Sequence, residues 1–241
     1  REPLAVLVSE SGHYATGKAA ALLGLGTNAV VAVEVDADGA MAPGALRSAV
    51  LAALDAGRTP LAVIATAGTT VTCAFDPLDE VADVCAEHGT WMHVDGCYGG
   101  SALFSADHRH RLAGVERSDS FVWNLHKMMG ITQQCTALLV REPERLAACF
   151  AAGADYIFQP DKQFGEWDSG DRTFQCGRRV DALKLWLAWK VHGDAGFGAR
   201  IDHAVAMADF ARLLIGASED GFATIANTGF TNVVFAWVPP E

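Results

Sequence analysis

Six short apolar runs separated by helical patterns constrain this chain more than any other feature. The runs are "LAVLV" (4–8), "AVVAVEV" (29–35), "LAVIAT" (61–66), "WMHVD" (91–95), "SFVW" (120–123) and "CTALLV" (135–140). They are rich in β-branched residues and short enough for strands. Between them, "ATGKAAALLGLG", "GALRSAVLAALDAG" and "PLDEVADVCAEHG" carry apolar residues at helical spacing, and each ends at glycine, a common helix stop. A strand that returns through a helix re-enters its sheet in parallel. The alternation therefore predicts an α/β fold, a mostly parallel sheet flanked by helices.

After residue 150 the alternation breaks down. "GADYIFQPDKQFGEWDSGDRTFQCG" mixes glycine, proline and charges with no sustained period, so a long loop is expected over about 153–176. Two helices are expected next, in "RRVDALKLWLAWKVHG" and over roughly 197–216, and a strand in "TNVVFAWV" (231–238). The aromatic-rich "LKLWLAWK" reads as a buried helix face.

Composition narrows the function classes. Hydrophobic residues make up 51% of the 241 and charged residues 20%, ordinary values for a soluble globular protein. A net charge of −11 argues against a nucleic-acid partner, which a basic face would attract. No apolar run approaches a membrane span, and "REPLAVLVSE" lacks a signal-peptide layout. The six cysteines are scattered without a C-x-x-C pair, so reduced thiols in a cytoplasmic protein are expected, with no metal site.

Open parallel sheets bind ligands at their strand ends. Four polar clusters follow expected strands: "SESGHY", "TAGTT", "HVDGCYGG" and "NLHK". Each alone has an ordinary structural explanation: a helix-capping aspartate, a satisfied histidine or a turn. Together they suit pyridoxal phosphate, which needs a lysine amine for its Schiff base and an acidic partner for its pyridinium nitrogen. An aromatic ring stacked on the cofactor would hold it. Lys127, Asp95 and His13 supply those chemical types.

"NLHKMMGITQQCTALLVRE", "WMHVDGCYGGSALFS", "ATAGTTVTCAFDPL" and "FQCGRRVDALKLWLAWK" resemble the group II pyridoxal-phosphate amino-acid decarboxylases, glutamate and cysteine sulfinate decarboxylases above all. The resemblance implies that residues 1–241 form part of the cofactor-binding large domain of a fold-type I transferase, truncated at both ends. It implies Lys127 as the Schiff-base lysine, Asp95 as the pyridine-nitrogen partner and His13 as the stacked ring. Thr70 and Cys97 would lie at the cofactor ring, Asn124 would help hold the phosphate, and His126 would assist at the substrate. The implied reaction is decarboxylation of an amino acid by a homodimer or with a complementing chain, acidic substrates (glutamate, aspartate or cysteine sulfinate type) being those of the resembled branch. Two other outcomes stay open: a relative that diverts the carbanion to oxygen and an aldehyde, and a non-catalytic remnant of the same fold.

The sequence departs from the family pattern in four places. The family's N-P-H-K has Leu125 for its proline, losing a fixed φ before the lysine. Its alanine pair after the aspartate is Gly96–Cys97. The tyrosine of its long loop has Trp167 as the nearest counterpart, in a loop one residue shorter. Family chains are also about twice this length, with further parts on both sides.

Overall fold

The computed structural model describes residues 3–151, 153, 161–167, 169–175, 177–226 and 229–239. Residues 152, 154–160, 168 and 176, which include part of the expected loop, lie outside them. Six strands form one sheet in the order β2–β1–β3–β4–β5–β6. They are β1 (Leu4–Ser9), β2 (Val30–Val33), β3 (Thr59–Thr66), β4 (Trp91–Asp95), β5 (Ser120–Asn124) and β6 (Thr136–Val140). The first five are mutually parallel, and β6 alone runs antiparallel, against β5. The chain moves from β1 to β2 on one side and then crosses to β3 on the other. That reversal opens a crevice at the strand ends, where such sheets bind ligands.

Helices α1 (Ala15–Leu22), α2 (Pro43–Asp55) and α3 (Leu78–His88) carry the crossovers. Pro43 opens α2 where no amide partner is needed, and Leu46, Val50 and Ala53 bury one stripe of it. Asp79 and Glu80 stand in the first turn of α3 and His88 in its last, as the helix dipole favours. Gly89 then stops α3 in the left-handed region, φ 62°. Val81 and Cys85 of α3 join the core that contains Met92 and Val94 of β4. Full burial of each large apolar side chain contributes about 1.5–3 kcal/mol. The alternation of β4 leaves Trp91, His93 and Asp95 on its opposite face.

Helix α4 (Glu144–Phe150) is followed, beyond the loop, by α5 (Asp181–Gly216). Gly193 interrupts α5 with non-helical backbone, φ 61° and ψ 179°, so two helical stretches meet at a kink near the expected break. The expected burial of "LKLWLAWK" is only half observed. Leu185, Ala188 and Trp189 pack on a second core of Leu125, Met129, Ile131, Cys135 and Phe197, whereas Leu183, Trp186 and Leu187 are exposed. Helical periodicity identifies an apolar stripe but does not supply what covers it. The chain ends in an antiparallel ribbon of β7 (Phe222–Ala226) and β8 (Val234–Trp237), of which only the second strand is expected from sequence. Among the described residues no helix is long and apolar enough to cross a membrane, and no group of side chains could hold a metal ion.

Candidate active site

The C-terminal ends of β3, β4 and β5 and the turn after β1 surround a cavity of about 590 Å³. Six of the seven residues singled out from sequence line it: His13, Thr70, Asp95, Cys97, Asn124 and Lys127. Lys127 occupies the turn after β5, where its amide donates to Asn124 O (3.0 Å) and its carbonyl accepts from Gly130 N (3.0 Å). Its side chain is exposed and has no ion-pair partner among the described residues. Leu125, in place of the family proline, is 1% exposed and anchors this turn in the second core. Packing supplies the restraint that a proline ring would otherwise give.

Asp95 ends β4, and one of its oxygens accepts the Cys97 amide at 3.0 Å. The Cys97 thiol is pushed up to about 12, first by burial and then by the Asp95 carboxylate beside it, so it is a neutral thiol at physiological pH. Gly96 is forced by packing: a Cβ there would stand 2.4 Å from the Phe121 ring. The alanine of the family pattern therefore does not fit at this position. Asn124 accepts the Thr136 hydroxyl on Oδ1 (2.8 Å), which leaves its amide NH₂ to donate to a ligand. His13 accepts the Ala15 amide on Nδ1 (3.2 Å), so its neutral ring carries its proton on Nε2.

His126 is the one of the seven that stands apart from the lining. Its Nδ1 lies 2.8 Å from Cys135 O and 3.1 Å from Cys135 N. The burial of Leu125 and Met129 on either side sets the turn so that this ring meets the backbone before β6. Trp167 also lies off the cavity lining, exposed against Phe164 at a ring distance of 5.2 Å.

Five lining residues escape sequence reasoning as individual side chains: Ala15, Thr66, Gly68, Tyr98 and Asn232. Three of them fall inside motifs already singled out. Thr66 lies directly beside Asp95 in the β3–β4 register, and its buried hydroxyl has no hydrogen-bond partner among the described residues. An orphaned buried hydroxyl is costly unless a ligand uses it. Asn232 has no local signal at all. It reaches the site because Phe230 is fully buried and Arg212 donates to the carbonyls of Phe230 and Asn232. The Asn232 amide then donates to Thr70 O and Val71 O, each at 3.0 Å, and Tyr98 hydrogen-bonds Thr231 at 2.8 Å.

A second cavity of about 510 Å³ opens at the other ends of β4 and β5, beside Trp91, Arg117, Arg141 and Arg145. Its arginines already face carboxylates: Arg117 binds Asp79 and Asp83, Arg141 faces Asp119 at 4.0 Å, and Arg145 binds Glu142. The second cavity also holds carboxylates and the buried, unpartnered Thr90 hydroxyl, but of the two only the strand-end cavity is lined by a lysine amine.

The model of the pyridoxal-dependent decarboxylase conserved domain matches residues 1–238. The chain belongs to the pyridoxal-dependent decarboxylase family. Mouse (Mus musculus) cysteine sulfinic acid decarboxylase is 47% identical over 241 residues, covering 99% of this chain and 49% of that protein. The crystal structure of mouse CSAD superposes with a TM-score of 0.95 at 45% identity, covering all of this chain and 50% of that one. A structure of Oryza sativa TDC with PLP and tryptamine gives a TM-score of 0.90 at 33% identity, over 98% of this chain and 49% of that one. The chain thus spans about half the length of the family members it matches.

Proposed function

We propose that this chain is the cofactor-binding part of a pyridoxal-phosphate-dependent carboxy-lyase that decarboxylates an amino acid. The observation that carries the reading is the meeting of Lys127, Asp95 and His13 around one cavity with the orphaned Thr66 hydroxyl. These groups fit the cofactor. The Lys127 amine would hold its aldehyde carbon, Asp95 would face its pyridine nitrogen and His13 would lie against its ring. The free Asn124 NH₂ would donate to its phosphate, with Thr66, Thr70 and Cys97 along the ring edge.

When bound, pyridoxal phosphate supplies an electron sink for the pair released as the α-carboxylate departs as carbon dioxide. The residues of the chain do the rest. Asp95 would favour a proton on the cofactor's pyridine nitrogen. The Lys127 amine, with no ion-pair partner among the described residues, would be available to hold the cofactor's aldehyde carbon. Similarity to cysteine sulfinic acid decarboxylase supports an acidic substrate, of the glutamate, aspartate or cysteine sulfinate type. A cytoplasmic homodimer, or a complex with a complementing chain, is the assembly we propose. Five described cysteines are free thiols, and the exposed Leu183, Trp186 and Leu187 offer an apolar face for association.

The test is to add pyridoxal phosphate, record the visible absorption, reduce with borohydride and map the modified peptide. The adduct is expected on Lys127, and Lys127→Ala should lose both absorption and adduct. Modification of Lys18, Lys162, Lys184 or Lys190 in its place would overturn the assignment.

A further inference from the structure

We infer that Lys184 of α5 is a positioning residue for the turn that carries Lys127, clamping the return leg of that turn so that Lys127 and Asn124 keep their places at the cavity. This inference deepens the reading of the cavity as a pyridoxal-phosphate site and rests on it.

Strands β5 and β6 are antiparallel neighbours, yet residues 125–135 separate them, too long a connection for a hairpin turn whose own chemistry fixes its shape. What holds it from outside therefore sets its course. Burial holds most of it: Leu125, Met129, Ile131 and Cys135 enter the second core. Thr132, Gln133 and Gln134 are exposed, and among the described residues no backbone amide donates to the carbonyls of Thr132 or Gln134. Lys184 fills that gap. Its Nζ donates to Thr132 O at 3.0 Å and to Gln134 O at 2.7 Å, and it pairs with Asp181 Oδ1 at 2.8 Å. An ammonium has only three N–H groups, so these acceptors use its full capacity. Hydrogen bonds from a charged donor are the stronger kind, which suits an anchor that is only part-buried.

The clamped segment leads straight into the contacts that set the site. Cys135 follows Gln134. Its carbonyl accepts the His126 amide at 3.4 Å, and its N and O lie 3.1 Å and 2.8 Å from His126 Nδ1. Thr136, one residue further, donates its hydroxyl to Asn124 Oδ1 at 2.8 Å, which leaves the Asn124 NH₂ for a ligand. Lys127 directly follows His126 on the outgoing leg. Lys184 stands outside the cavity lining, whereas Asn124 and Lys127 belong to it. Every link from Lys184 to those two residues is a hydrogen bond or a stretch of backbone. Loss of the clamp frees the return leg, and the frame around the Lys127 amine and the Asn124 amide loosens with it.

The experiment uses the full chain as parent, Lys184→Met, Lys184→Arg and Asp181→Asn. Methionine removes the donors, arginine keeps a charged donor, and Asp181→Asn removes the ion pair while leaving both carbonyl bonds. The first arm measures amide hydrogen exchange without cofactor. Lys184→Met should speed exchange at Ile131 and Cys135 by about tenfold or more, with β1 and β3 unchanged and Asp181→Asn close to the parent. In the second arm, pyridoxal phosphate is titrated in by its visible absorption and trapped with borohydride. Lys184→Met should bind it about tenfold more weakly and form the Lys127 adduct more slowly, and Lys184→Arg should recover most of both losses.

Equal exchange at Ile131 and Cys135 in parent and Lys184→Met overturns the inference. So does faster exchange throughout the chain, the mark of a general loss of stability. An Asp181→Asn chain that matches Lys184→Met overturns it too, because the effect then belongs to the ion pair within α5. Unchanged cofactor affinity in a Lys184→Met chain with a loosened turn has the same consequence. A parent that loosens as expected on Lys184→Met but never binds the cofactor defeats the functional reading instead, and the positioning role falls with it.

Discussion

Asp76 offers a test in which the sign is fixed by the structure. Its side chain is 2% exposed. Its two oxygens each accept a backbone amide at 2.7 Å: Met41 N on Oδ1 and Thr66 N on Oδ2. It therefore ties the end of β3, which carries a cavity residue, to the segment before α2. Burial outweighs the two amide hydrogen bonds and, with a smaller push from Asp36, raises the carboxyl from 3.8 to about 6. Between those values the folded chain holds a proton that the unfolded chain has lost. Stability linked to this group is thus complete below the unfolded value and falls as pH rises through about 6. The displacement corresponds to about 3 kcal/mol, at roughly 1.4 kcal/mol for each pH unit.

The perturbation is Asp76→Asn, compared with the parent by urea unfolding across that pH range. Asparagine cannot titrate, and it offers one acceptor where two amides need one. The amide left over costs about 1–3 kcal/mol, a term that does not depend on pH. The gap in unfolding free energy between parent and variant isolates Asp76, because other titrating groups are common to both. That gap should shrink in the variant's favour by about 3 kcal/mol as pH rises from below 3.8 to above 6. A gap that stays constant, or widens with pH, would refute the reasoning. It would mean that the amide hydrogen bonds outweigh burial.

Three further substitutions probe the packing around the site. Gly96→Ala drives a methyl to within 2.4 Å of the buried Phe121 ring and should cost about 1–3 kcal/mol, with recovery when Phe121→Leu is added; thermal unfolding measures both. Asn232→Ala removes the donors to Thr70 O and Val71 O, and a loss of about 1 kcal/mol should appear as about fivefold weaker cofactor binding in a fluorescence titration. Unchanged affinity would mean that other contacts hold this edge of the cavity. Cys73 holds φ at 60° while fully buried, so Cys73→Gly should be more stable than Cys73→Ala by about 1 kcal/mol in urea, since both lose the thiol and only glycine relaxes the backbone.

Local chemistry explains which features could be read without coordinates. The strand runs were legible because fully buried parallel strands must be apolar along their length, as Ala5 to Val8 are. The four motifs identified strand ends, and the fold brings those ends together because the chain reverses direction across the sheet at β1. Strand β7, "FATIA", escaped notice because its residues are mostly exposed and it pairs only with β8. Thr66 was visible as a letter, but its meaning depends on register: it stands beside Asp95. No spacing rule supplies that pairing. Leu125 shows the same limit from the other side. Replacing a family proline reads as lost rigidity if only φ is considered. Yet Leu125 packs with Met129 and Phe197, and the turn that presents Lys127 is restrained by that burial. A turn can be fixed by its own ring or by its neighbours, and the second route becomes visible only when a distant helix is in place.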